Sequence, residues 1–234
     1  MQFFVGTSGF SYPAWRGSFY PEGLPESKML AFYAERLGAV EVNNSFYRMP
    51  SAKVLDDWIG LVPESFRFAL KASQRITHIA RLKEDAAGEA LAYFWKQAEA
   101  LGDWLGPILF QLPPNLKKDL PRLVAFLAKL PPGCRAAFEF RHATWFDDEV
   151  FAALRDAKAA LCVAEDEKLA TPLVPTADWG YLRLRRQDYV AADIARWADA
   201  VKAQTWTETF VFFKHEDEGT GPALAKEMAT LLQA

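Results

Sequence analysis

The fold turns on Ala136-Ala137-Phe138-Glu139-Phe140-Arg141-His142, followed by Ala143-Thr144-Trp145-Phe146. Side chains alternate across a strand, so Phe138 and Phe140 share one face while Ala137, Glu139 and Arg141 share the other. A surface strand would hide its apolar face and wet its charged one. Five other apolar segments show a related pattern, bulky on one face and charged or amide-bearing near the C-terminal end of the other. A closed parallel barrel satisfies both features, with helices on the apolar outside and a polar mouth at the strands' C-terminal ends.

Working outward, apolar runs predict strands at 3–7, 39–43, 67–71, 107–112, 161–164, 181–185 and 209–215. Helical spacing follows almost every one. The stripes are Leu30, Tyr33, Ala34 and Leu37; Val54, Leu55 and Trp58 (helix 51–61); Leu91, Phe94, Trp95, Ala98, Leu101 and Leu105. They continue with Leu120, Leu123, Val124, Leu127 and Leu130; Val150, Phe151 and Leu154, capped by Asp147 or Asp148; Val190, Ile194, Trp197 and Val201; and Leu224, Met228 and Leu231. Strand six ends in Glu165-Asp166-Glu167, and 168–178, with Pro172 and Pro175, reads as irregular. Gly6-Thr7-Ser8-Gly9 lacks the dinucleotide fingerprint of a doubly wound sheet. The expected fold class is therefore α/β, a TIM-type (β/α)8 barrel forming a single domain over 1–234.

Composition bounds the function. The 234 residues are 51% hydrophobic and 24% charged, ample for a large core. A net charge of −3 is unlike a nucleic-acid-coating protein, although a local basic cavity remains compatible with it. Cys134 and Cys162 lack metal-ligand spacing and read as buried thiols of a reducing compartment. Met1-Gln2-Phe3-Phe4 has no basic leader region and no run approaches a membrane span, so a cytoplasmic protein with no membrane partner is expected. His78, His142 and His215 are not spaced as metal ligands, and no cofactor is expected. A magnesium ion on Glu41, Glu139 or Asp166 stays open, since it needs only one or two carboxylates.

At the expected mouth stand Thr7, Asn43, Lys71, Gln111, Arg141, Arg185 and either Lys214 or His215. One layer deeper lie Glu41, Glu139 and Arg183. A mostly cationic ring favours a phosphate or carboxylate, arginine by bidentate contacts and lysine as a point charge. The alternative is a buried network in which Glu41 and Glu139 simply neutralise Arg141 and Arg183. Glu41 and Glu139 are also candidates for a catalytic acid/base pair, if one is kept ionised by arginine and the other raised by an apolar niche. His142 is a third proton-transfer candidate, or a structural histidine. Trp15, Phe46, Tyr47 and Trp145 read either as stacking platforms beside Arg48 and Arg75 or as packing over the rim. Gly219-Thr220-Gly221 before the last helix has the form of a phosphate cradle, opposed by Glu216, Asp217 and Glu218.

These residues resemble the domain of unknown function 72 family, also called YecE-like, over nearly the whole chain. The resemblance rests on Val5-Gly6-Thr7-Ser8-Gly9-Phe10-Ser11-Tyr12, Trp15-Arg16-Gly17, Phe19-Tyr20-Pro21 and Val40-Glu41-Val42-Asn43-Asn44-Ser45-Phe46-Tyr47-Arg48-Met49-Pro50. It extends through Phe68-Ala69-Leu70-Lys71-Ala72, Ile76-Thr77-His78, Leu109-Phe110-Gln111-Leu112-Pro113-Pro114, Phe138-Glu139-Phe140-Arg141-His142 and Trp145-Phe146. The resemblance implies a TIM-type barrel and supplies no established reaction. Two departures stand out: Arg183-Leu184-Arg185-Arg186 where the family commonly has Arg-Leu-His-Gly, and Phe212-Phe213-Lys214-His215 where it has a Phe-Phe-Asn-Asn type of ending. Both move positive charge to one sector of the mouth.

The functional expectation is an enzyme acting on a small anionic substrate, phosphorylated or nucleotide-like, by acid/base chemistry. Glu139, Glu41 and His142 are its proton-transfer candidates; Asn43, Tyr47, Lys71, Gln111, Arg141, Arg183, Arg185 and Trp15 its binding candidates. The competing expectation is a non-catalytic or nucleic-acid-processing protein that uses the same cleft.

Overall fold

A computed structural model describes residues 1–166 and 169–234. Eight parallel strands close in sequence order, and β1 pairs with β8. They are β1 (Gln2–Ser8), β2 (Ala39–Val42), β3 (Arg67–Lys71), β4 (Leu105–Gln111), β5 (Ala136–Glu139), β6 (Ala160–Glu165), β7 (Trp179–Leu184) and β8 (Glu208–Phe213). The connecting α-helices are α1 (Met29–Ala34), α2 (Ala52–Ile59), α3 (Glu84–Ala98), α4 (Leu120–Leu127), α5 (Asp148–Asp156), α6 (Ala191–Lys202) and α7 (Thr220–Gln233). Among the described residues no helix joins β6 to β7, as the prolines of that connection imply. Glu167, read from sequence at the end of strand six, lies outside the described residues. No helix among the described residues is long and apolar enough to cross a membrane.

The helices form where the stripes predict them, and their starts are chemically marked. Asp147 caps α5 by accepting the Glu149 N–H at 3.0 Å, Asp119 caps α4 through the Arg122 N–H, and Ser51 caps α2 through Val54. Their apolar faces bury Leu55, Leu123, Phe126, Val150, Leu154, Ile194 and Val201 against the outward-facing strand residues Val40, Phe68, Leu70, Phe110, Phe138, Leu182 and Val211. This outer layer is the main core.

Inside the barrel a second, smaller apolar cluster holds Phe4, Ala39, Ala69, Leu109, Ala137, Cys162, Trp179, Tyr181, Phe210 and Phe212. Phe4 stacks on Phe210 with ring centroids 4.7 Å apart. Aromatic rings from β1, β7 and β8 fill the space that alanines leave on β2, β3 and β5, so the lower barrel is a packed plug. Polar side chains occupy the upper barrel above it.

The β1–β2 seam is completed by a side chain. The Tyr33 hydroxyl of α1 accepts the Thr7 N–H at 2.8 Å and donates to the Ala39 carbonyl at 2.9 Å. Thr7 Oγ1, 2.9 Å from the same hydroxyl, is thereby drawn toward the helix layer, and Ser8 supplies the β1 hydroxyl that reaches Glu41 inside the barrel. The sequence expectation placed Thr7 at the mouth; the closure by Tyr33 moves that place to Ser8. A Cβ on Gly6 would lie 1.7 Å from the Ala39 carbonyl oxygen, which explains glycine at this crossing.

Candidate functional site

The site begins with Arg183 on β7, a fully buried guanidinium between two fully buried carboxylates. Its Nε and Nη2 donate to Glu41 Oε1 at 3.1 and 2.7 Å, and its Nη1 donates to Glu139 Oε2 at 2.6 Å. Glu41 also accepts from Ser8 Oγ and Tyr181 Oη, both at 2.6 Å. Glu139 Oε1 accepts from Gln111 Nε2 and Arg141 Nη1, both at 2.9 Å. Every carboxylate oxygen is therefore engaged, which is the condition under which buried charge is tolerated. Burial by itself would raise both carboxyls, but Arg183 holds Glu41 below the usual range and, joined by Arg185 and Arg141, holds Glu139 well below it.

This ion network answers the acid/base expectation. An acid needs a proton to give at neutral pH, and a base needs an open lone pair facing its substrate. With their pKa values lowered, Glu41 and Glu139 carry no proton to give at neutral pH, and in this structure both brace Arg183. His142 also lies apart from the cleft lining. It caps a short turn, its Nδ1 accepting the Thr144 N–H at 3.2 Å with Thr144 Oγ1 at 2.9 Å.

Above the network opens a cleft of about 220 Å³ lined by Asn43, Lys71, His78, Gln111, Leu112, Pro114, Arg141, Arg183, Arg185 and Lys214. Most of these follow from strand alternation, because Lys71, Gln111, Arg141, Arg183, Arg185 and Lys214 continue the inward positions of β3, β4, β5, β7 and β8. Of the expected pair on strand eight, Lys214 is the lining residue. His215 is buried elsewhere, with Nε2 2.7 Å from the Arg186 carbonyl oxygen.

The lining contains five cations and, among the described residues, no carboxylate. Acids outside the lining reach these cations: Asp166 meets Arg141 at 3.0 Å and Arg185 at 2.8 Å, and Glu216 stands 3.8 Å from Lys214. Among the described residues Arg185 Nε is buried without a hydrogen-bond acceptor, and burial together with Arg183 and Arg141 lowers the pKa of this guanidinium despite Glu139 and Asp166. Lys71 has no ion-pair partner among the described residues. Burial, Arg183 and Lys214 outweigh Glu41 and Glu139 and lower it to about 8. Its strand end is fastened by Ser45, whose Oγ accepts the Lys71 N–H at 3.1 Å and lies 2.8 Å from its carbonyl.

The aromatic candidates separate. Trp15 is fully buried among Tyr12, Phe19 and Tyr20, and Trp145 is fully buried against Phe140 with Nε1 donating to Leu116 O. Neither has a free face, so the rim-packing alternative describes both. Phe46 lies under Lys71, with Nζ 4.4 Å from the ring centroid, and meets His78 edge-on at 4.9 Å. Tyr47, packed edge-on against Phe46, is 72% exposed at the rim. His78 was not singled out as a site residue in the sequence. It lies on an irregular turn (Arg75–Ile79) that strand periodicity does not reach, and only the Ile76-Thr77-His78 match marked it. Among the described residues no group of three His, Cys, Asp or Glu side chains could hold a metal ion.

Strand order, helical layer and polar mouth together define a TIM-type (β/α)8 barrel. The family model described as "Protein of unknown function DUF72" matches residues 4–234, and the chain belongs to that family. A DUF72 family protein from Thermotoga maritima MSB8, TM1631, is 25% identical with a TM-score of 0.89, each chain covered completely. A DUF72 family protein from Enterococcus faecalis V583, EF0366, is 19% identical with a TM-score of 0.80, covering all of this chain and 96% of the other. The UPF0759 protein YunF of Bacillus subtilis (strain 168) is 28% identical over 149 residues, 61% of this chain and 52% of YunF, so the match spans about half of that relative. A methyltransferase from Methanosarcina mazei, at 11% identity and a TM-score of 0.50, shares the fold alone.

Proposed function

We propose that this barrel is an enzyme for a small anionic substrate, with the anion held among Lys71, Arg141, Arg185 and Lys214 and oriented by Asn43 and Gln111. The observation that carries this reading is the lining itself: five cations and two amides, with no carboxylate among the described lining residues. Like charges crowded into a half-enclosed cleft repel one another, and a bound anion removes that repulsion. Among the described residues the Arg185 Nε–H has no acceptor and Lys71 no counter-ion, and both favour this occupant.

Size limits the ligand. About 220 Å³ lies below the ~300–1,000 Å³ of sites for drug-sized molecules, so a phosphate, sulfate or short carboxylate head group fits the reading. A more open depression of about 530 Å³ shares Arg185 and Lys214 and adds Asp166, Gln187, Glu216 and Asp217, giving the uncharged or cationic part of a larger substrate somewhere to extend. Arg183 enters this proposal as the braced base of the site.

Thermal melts across phosphate, sulfate and small carboxylates test the reading. The expected result is a concentration-dependent rise in Tm that Arg141→Ala abolishes. No shift in wild type across the panel overturns it. An oligonucleotide that binds with a steep salt dependence and displaces phosphate would favour the nucleic-acid alternative.

A further inference from the structure

Resting on the anionic-substrate reading, we propose that Lys71 is the reacting amine of this cleft and forms an imine with the carbonyl carbon of a small anionic carbonyl compound, a 2-oxo acid or keto phosphate. The argument starts from what the other cations do. Arg141, Arg183, Arg185 and Lys214 each have a carboxylate within 4 Å, whereas Lys71 has none among the described residues. A lysine kept only to grip an anion gains from staying fully charged. One kept to attack a carbonyl must spend part of its time neutral.

The groups around Lys71 favour the second use. On β2 and β5, Glu41 and Glu139 face it, but both are already engaged by Arg183. Arg183 of β7 and Lys214 after β8 oppose its charge, and burial adds to them; the Phe46 ring, 4.4 Å from Nζ, favours the charged form and only partly offsets these. His78 shares the cleft. With the amine lowered to about 8, roughly a tenth is neutral at pH 7, a few hundred times more than for an ordinary lysine near 10.4. Lys214, one of the cations that lower it, belongs to the set that would hold the substrate's anionic group beside it.

The step balances with the groups present. The Nζ lone pair forms a C–N bond to the carbonyl carbon while the C=O π pair moves to oxygen, which takes a proton. The amine loses a proton, giving a neutral carbinolamine. The nitrogen pair then expels the hydroxyl group, which leaves as water after taking a proton, and a protonated C=N bond remains. His78 is suited to carry those protons. Burial, Lys71 and Arg81 lower its pKa, so it rests neutral at pH 7, and Nδ1 stands 2.9 Å from Thr77 Oγ1.

Borohydride trapping tests this. Wild-type protein is incubated at pH 7 with pyruvate or dihydroxyacetone phosphate, reduced, digested and mapped by mass spectrometry, with exposed Lys53 as internal reference. The expected adduct lies on Lys71 at about tenfold or more over Lys53, which stands exposed outside the cleft. Inorganic phosphate should suppress it. Lys71→Arg keeps the positive charge but has no nucleophilic amine, so it should lose the adduct. Labelling of Lys71 no greater than of Lys53 with either compound overturns the proposal. If phosphate still raises Tm in that case, the anion site stands without the imine. A Lys71 adduct that phosphate neither suppresses nor accompanies with a Tm shift would keep the imine and remove the anion site.

Discussion

Arg183 shows how one residue sets the terms for its neighbours. Its charge is buried and held by Glu41 and Glu139, so neutralising either carboxylate leaves the guanidinium with only one of its two counter-charges and strands donors without acceptors. Glu41→Gln and Glu139→Gln are each expected to lose about 3–5 kcal/mol in urea unfolding. Arg141 differs, because its side chain is 26% exposed and water can serve both it and the space it leaves. Arg141→Ala should lose much less stability, and anion affinity should fall sharply. The folded carboxyls of Glu41 and Glu139 titrate below their unfolded value near ~4.3. Their contribution is therefore complete above that pH and is lost as pH falls toward the folded values. Acid titration of wild type against Glu139→Gln should show the wild-type advantage shrinking below about pH 4. Lys71 carries the opposite sign. Its folded value of about 8 lies below the unfolded ~10.4, so it penalises the fold below pH 8 and ceases to above that upper value. Lys71→Met should raise Tm at pH 7, with the gain fading toward pH 10.5. A stabilising deletion in the middle of a cleft marks a residue kept for something other than folding.

At the scale of elements, the β1–β2 seam depends on a helix residue. Tyr33 hydroxyl stands in for backbone pairing at Thr7 N–H and Ala39 O, and all three groups are buried. Tyr33→Phe would leave a donor and an acceptor with no partner and almost no change of shape. The expected loss is about 1–3 kcal/mol by denaturant unfolding. Hydrogen exchange should locate the loosening at β1 and β2, with the Thr7 amide exchanging faster. Ser45 does a related job between β2 and β3, where it fastens the backbone of Lys71. The mouth is thus held by side chains that bind strand ends, which keeps the cleft residues on rigid supports.

At the scale of the molecule, the barrel divides its labour by height. Aromatic and small side chains fill the lower interior, ion pairs occupy the middle, and the cleft stands on top. An anion at a hundred times its dissociation constant should stabilise the whole fold by roughly 2.7 kcal/mol, a shift that calorimetry resolves. If the cleft were only a solvated end of the barrel, phosphate would leave the unfolding transition where it is.

The sequence by itself determined the barrel, because closure is written in local patterns. Alternation on each strand and stripes on each helix are properties of neighbours in the chain, and they also placed Lys71, Gln111, Glu139, Arg141 and Arg183 at one end. Tertiary structure alone decided what those residues do there. Whether Glu139 is a proton donor or a brace depends on Arg183, forty-four positions away, and on the water that burial removes. Whether Trp15 stacks on a ligand or fills the rim depends on Tyr12, Phe19 and Tyr20 closing around it. Periodicity fixes the face on which a side chain stands; only the packed fold fixes its neighbours, and neighbours set charge state, exposure and use.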